Sequence, residues 1–291
     1  MKFGFLIDDN AFKCEEFEIA PVLDFDSILK DFKNSRSVSN GWFYGPEIEL
    51  VKSSSEKKHF ASNAPIVHKS FFQMSSTHQI TSTENYSDDH LQFLILGYGF
   101  LQGLYLTPEG YSYLGRTAFK PTTLNGVCLF GADYVNGMES INQFYIDSTQ
   151  KKRNQMFACI HWYLMGQSYQ FEWDKFDAQY KVLDGIWNLS ELEGNHTKRL
   201  IKLSEKYNLK LPVWAKLNAK GRSKLSEQRN ELVHEAKYDG HPIGYSYPDE
   251  NYSLEFRSFN TKLISAALGI HTPYLQSEPN NRILGLWNIS P

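Results

Sequence analysis

The stretch SKLSEQRNELVHEAKYDGHP, residues 223–242, holds a helix start, a helix stop and an unusual polar set between them. Ser223 or Ser226 can cap the first turn, and Asp239 with Gly240 and then Pro242 stops the chain, so the sequence predicts a helix over 223–239. At 100° per residue, Leu232 and Ala236 fall within about 20° of Leu225 and form a narrow core-facing stripe. Asn230 and His234, an i,i+4 pair, fall about 140° and 180° from Leu225 and point off the core. Arg229 sits at about 40°, so about 140° separates it from His234, and its long side chain has to reach outward to work beside that ring.

Upstream of this helix the chain is mostly helical in pattern. Apolar spacing and Pro, Gly and Asn punctuation predict helices at about 90–106, 133–147, 150–170, 172–188, 196–208 and, after the motif, 255–269. Ser87-Asp88-Asp89 reads as a cap for the first of these, which displaces a metal-ligand reading of Asp88, Asp89 and His90. Residues 1–86 differ: short β-leaning runs at 2–7, 41–51 and 64–74 alternate with Ser- and Asn-rich breaks. The expected fold class is mainly α, α+β overall, with a small β-rich or irregular N-terminal module over 1–86 and a helical domain over 87–291. The aromatic residues of 157–187, including Trp162, Trp173 and Trp187, are expected to form its core.

Composition narrows the function classes. The 291 residues are 41% hydrophobic and 22% charged, typical of a globular chain. Three cysteines, Cys14, Cys128 and Cys159, are odd in number and widely spaced, which reads as reduced thiols and neither a disulfide framework nor a zinc cluster. The apolar run at 91–106 is shorter than the roughly 20 residues of a membrane span and carries three glycines. Aspartates follow the first apolar residues at once, so no signal peptide is read there, and the expectation is a cytoplasmic protein with no membrane contact, no metal and no cofactor. Gly97-Tyr98-Gly99 with Gly103 lies inside an apolar helix and reads as close packing, not a phosphate loop. Cys159 and His161 point to different helix faces, and His241 reads as a loop residue.

Charge is unevenly distributed. Residues 1–149 carry 11 Lys/Arg against 18 Asp/Glu, while 150–291 carry 19 against 15. From His196 to Arg229 ten Lys/Arg face only Glu205 and Glu227, and such a run suits a phosphate backbone.

Arg229-Asn230, three further residues and His234, on a capped helix late in a helical domain, resemble the motif of HEPN-superfamily ribonucleases. The helical layout of 87–291 also resembles the C-terminal HEPN domains of prokaryotic defence proteins such as the ApeA-like group. The resemblance implies a metal-independent endoribonuclease, with Arg229 and His234 catalytic and Asn230 assisting. It also implies a homodimer pairing motif helices across a two-fold axis, in toxin–antitoxin or antiphage defence, held by an inhibitory or antitoxin protein.

The chemistry fits those residue types. RNA supplies its own nucleophile, the 2′-hydroxyl, and cleavage needs a base, an acid and positive charge for the developing phosphorane. A histidine can exchange protons near neutral pH, and an arginine offers a permanent forked charge matched to phosphate oxygens. Lys220, Arg222 and Lys224 are the expected RNA-binding residues. Two other classes stay open on sequence: a non-catalytic HEPN-like module binding RNA, a nucleotide or a protein, and a helical scaffold.

Overall fold

Ser87 starts the most apolar helix of the chain: its side chain accepts the amide of His90 at 3.3 Å, and Gly103, at φ 69°, closes the other end. Between them every residue from Phe93 to Gln102 is buried. The computed structural model describes residues 1–34, 38–44, 50–52, 59–61, 75–108, 116–119, 132–244, 252–278 and 289. The expected β-run at 64–74 and the middle of that at 41–51 lie outside them. The fold is mainly α, and among the described residues the small antiparallel sheets lie in the first part apart from one short ribbon near the motif.

Contacts divide the chain into two compact units, Met1–Gly126 and Val127–Pro291. In the first, β1 (Lys2–Gly4), β2 (Phe12–Lys13), β3 (Phe17–Pro21), α1 (Phe25–Lys33), β4 (Val38–Ser39), β5 (Trp42–Tyr44), β6 (Leu50–Lys52) and β7 (His59–Ala61) precede β8 (His78–Ser82), α2 (Asp88–Gln102), β9 (Thr107–Pro108) and β10 (Arg116–Ala118). Five of the strands form an antiparallel sheet in the order β2-β3-β8-β1-β9. Helix α2 belongs with this sheet, because Tyr98 meets the rings of Phe3 and Phe12 at 6.3 and 5.4 Å. That moves the division from the expected residue 86 to beyond α2. An all-apolar helix looks the same in sequence whether a sheet or a helix covers it. Helix α1, not expected from the sequence, packs Phe32 against Phe5 and Phe119.

The second unit contains α3 (Ala132–Asp147), α4 (Gln150–Met165), α5 (Glu172–Leu189), α6 (Arg199–Lys206), α7 (Lys224–Asn230), the two-stranded ribbon β11 (Lys237–Tyr238) and β12 (His241–Pro242), and α8 (Ser253–Ala267). Helices α4, α5 and α8 pack on one another through Met156, Ile160, Phe176, Leu183, Phe256 and Phe259, all fully buried. Tyr163 and Thr261 join hydroxyls at 2.7 Å across α4 and α8, and Asn260 donates to the backbone and side-chain oxygens of Gln179, both at 2.9 Å. Trp187 is in this core, whereas Trp162 and Trp173 are only half-buried. Among the described residues no helix is long and apolar enough to cross a membrane.

Gly166, at the end of α4, sets how closely α4 meets α5. A Cβ there would lie 2.7 Å from the Ala178 Cβ and 3.2 Å from the Trp162 carbonyl, neither of which can swing away. Its φ of −57° suits any residue, so only the clash opposes substitution. Gly166→Ala is expected to destabilise the second unit by about 1–3 kcal/mol, measured by urea unfolding. Unchanged stability would mean that these helices separate at no cost.

Candidate active site

Ser223 and Ser226 build the start of α7 reciprocally. Ser223 Oγ accepts the Ser226 amide at 3.2 Å, and Ser226 Oγ accepts the Ser223 amide at 3.0 Å, with Leu225 buried beneath. The expected helix 223–239 does not continue as one α-helix, however. It is α-helical to Asn230, then turns as a π-helix over Glu231–Glu235 and ends at Ala236 with φ 51°. Ala236, expected in the core stripe, is exposed, and Leu232 is half-buried. The left-handed backbone at an alanine costs roughly 1–2 kcal/mol.

The short ribbon beyond Ala236 holds this turn in place. Asp239 and Gly240, with φ of 52° and 77°, form the two-residue turn between its strands. Glu231 Oε2 accepts the Gly240 amide at 2.8 Å, and the Ile243 amide donates to the Ala236 carbonyl at 3.1 Å. Tyr238 buries its ring 5.5 Å from Phe176 of α5. His241, expected in a loop, is the exposed strand partner of Tyr238.

The π-turn overturns the expected separation of Arg229 and His234. Hydrogen bonds from i to i+5 put an extra residue into the turn, so residues five apart come close to alignment along the axis. Arg229 Nη1 lies 3.1 Å from His234 Nε2 and also donates to Asn230 Oδ1 at 3.2 Å. All three predicted catalytic residues therefore meet within one chain. A guanidinium only donates, so in a hydrogen bond between the two Nε2 is the acceptor. Arg229 is half-buried, its guanidinium 5.9 Å from the centre of the Tyr180 ring, while His234 is exposed.

Tyr180 also opens the route to residues that local sequence patterns do not single out. One turn further along α5, Asp184 pairs with Arg199 of α6, whose guanidinium lies 5.6 Å from the Trp187 ring. His196, on the 3-10 turn His196–Lys198, stands one turn before Arg199, and its Nε2 is buried without a hydrogen-bond partner. Burial, then the charges of Arg229 and Arg199, push its proton affinity down, Asp184 opposes them, and Arg222 adds to the depression. Burial raises the Asp184 carboxyl above its usual range despite Arg199, and burial followed by Asp184 pushes the Tyr180 hydroxyl up to about 12. Asp184 thus interacts with Arg199, Arg229 and His196, while His234 joins the group through Arg229 and Arg222 through His196.

The predicted RNA-binding residues are shaped by Asn218. Its Oδ1 accepts the amides of Lys220 at 2.9 Å and Arg222 at 3.1 Å, and its Nδ2 ties the loop to Glu227 of α7 at 3.0 Å. Lys220, Arg222 and Lys224 are all exposed on this loop and the first turn of α7, and Arg222 is the one that acts on His196. Other cations of the run have structural duties: Lys202 and Lys206 donate to the Glu193 and Ser190 carbonyls, and Lys210 pairs with Glu278. Comparison with known proteins gives no match to a family model, a curated protein or a solved structure.

Proposed function

We propose that the chain is a metal-independent endoribonuclease of the HEPN type, with Arg229 and His234 as its catalytic pair. The observation that carries this reading is the 3.1 Å contact between Arg229 Nη1 and His234 Nε2 across the π-turn. It supplies, side by side, a fixed positive charge for a phosphate oxygen and an imidazole nitrogen.

In this mechanism an entering phosphate takes the Arg229 guanidinium and frees the Nε2 lone pair of His234 to accept the 2′-hydroxyl proton. The 2′-oxygen attacks phosphorus, the P–O5′ bond breaks, the departing 5′-oxygen takes a proton from water, and the products are a 2′,3′-cyclic phosphate and a 5′-hydroxyl. His196, whose proton affinity is lowered by burial and by Arg229 and Arg199, is a second imidazole in the same chain. Asn230 steadies Arg229, and Lys220, Arg222 and Lys224 hold the RNA backbone with salt-sensitive affinity. A homodimer through the motif helix belongs to the same reading and is supported by Val233 and Ile243, which are 52% and 38% exposed beside the site. The Arg–His contact no longer requires the dimer. Toxin–antitoxin or antiphage defence, with a protein inhibitor and a first unit that restrains or triggers the second, completes the proposal.

The test uses the full chain and total RNA in EDTA. Fragments ending in 2′,3′-cyclic phosphate are expected. RNA that is bound but stays intact would select the non-catalytic module instead.

A further inference from the structure

A cavity of about 270 Å³ opens in the second unit and shares no lining residue with the Arg/His cluster. It is lined by Gln167, Glu172, Lys175, Gln179, Ser253 and Arg257. Glu172 is fully engaged, with Lys175 at 2.8 Å on one oxygen and the Ser253 hydroxyl on the other. Gln179 Oε1 takes Asn260. Gln167 is different: it is only 7% exposed, yet neither its amide nitrogen nor its oxygen has a partner. Arg257 Nη2 is likewise buried and unpartnered.

Folded proteins pair nearly all their buried polar groups, and those left over mark strain or function. Here an amide and one guanidinium nitrogen are left over in the wall of one cavity, although the Arg257 guanidinium also lies 5.7 Å from the centre of the Tyr163 ring. Because Lys175 and Glu172 cancel, Arg257 is the unbalanced charge of the lining and calls for one negative charge. The Gln167 amide calls for a donor and an acceptor side by side, which another amide provides. The volume lies below the roughly 300–1,000 Å³ of pockets for drug-sized ligands, so the occupant is small. We propose that this cavity binds a small carboxylate that also carries an amide, its carboxylate on Arg257 and its amide on Gln167. Neither the ribonuclease reading nor dimerisation is needed for this.

Succinamate is the minimal probe, since it joins one carboxylate to one primary amide. Succinate lacks the amide and succinamide lacks the carboxylate. Calorimetric titration of the full chain is expected to show saturable binding of succinamate, with each control weaker by about tenfold or more. Gln167→Leu and Arg257→Met should each weaken succinamate by a similar factor. Gln167→Leu should also unfold at the same or a higher temperature, because it replaces an unpaired buried amide with an apolar group of similar size. Absence of succinamate binding, equal binding of the controls, unchanged affinity in both variants, or a Gln167→Leu chain that melts earlier would each overturn the proposal.

Discussion

His234→Ala is expected to lower the rate of RNA cleavage in EDTA by about 10²- to 10⁴-fold, the usual contribution of a positioned acid or base. Its stability should not change, because His234 is exposed and the arginine it touches, Arg229, keeps Asn230 and the Tyr180 ring. That separation makes the variant informative. Loss of cleavage with an unchanged unfolding temperature assigns the defect to proton transfer. Cleavage at the parental rate would remove His234, and with it the proposed mechanism, from any activity seen. Arg229→Lys sharpens the assignment, since lysine keeps the charge but cannot contact phosphate and imidazole through a planar fork. It should retain RNA binding and lose turnover, whereas neutralising Lys220, Arg222 and Lys224 together should weaken binding and flatten its salt dependence.

The helical half of the fold is legible in its sequence because its helices carry their own punctuation. Thr149 caps α4 and Ser223 caps α7, and each acts locally. The Arg–His contact is not legible in the same way. A wheel drawn at a constant 100° contains no π-turn, so it separates two residues that the structure joins. Part of the signal is nevertheless present. Asp239-Gly240 between Tyr238 and His241 is a strong two-residue hairpin sequence, and taking it only as a helix stop carries the helix several residues too far. A ribbon at 237–242 requires the helix to end by Ala236, the point at which Glu231 can reach the Gly240 amide.

His196, Asp184 and Arg199 are hidden for another reason. Arg199 meets Asp184 fifteen residues away across two helices, and nothing in local spacing encodes that meeting. The nearest clue is Asp184 itself, an acidic residue among the buried Val182, Leu183, Ile186 and Trp187. A half-buried carboxylate at such a position is favoured by a nearby cation, and the basic run after His196 supplies one. The domain division is obscured similarly at α2, where Tyr98 faces Phe3 and Phe12, residues more than eighty positions earlier.

On the acid side of neutrality a pH effect is expected in the first unit, at His78. This ring is fully buried on β8, 5.9 Å from Phe3 and 5.7 Å from Phe25, with Nδ1 3.1 Å from Thr77 Oγ1. Burial lowers its pKa from 6.5 to about 4, against the opposing pull of the Asn10 carbonyl and Asp9. The sign follows from proton counts. Between pH 6.5 and 4 the unfolded chain binds a proton that the folded chain refuses, so stability is lost as pH falls through that window and levels off below it. The difference corresponds to about 3 kcal/mol. Other groups also respond to acid, so the comparison is between the parent and His78→Leu, which keeps an apolar side chain in the pocket and cannot take a proton. At pH 7 and again near pH 4.5, amide hydrogen exchange in peptides covering β1 and β8 reports the opening of this sheet. Relative to His78→Leu, the parent should lose protection on acidification. Equal loss in both chains would mean that the acid response of the sheet comes from its carboxylates, and that the buried ring can be protonated in place.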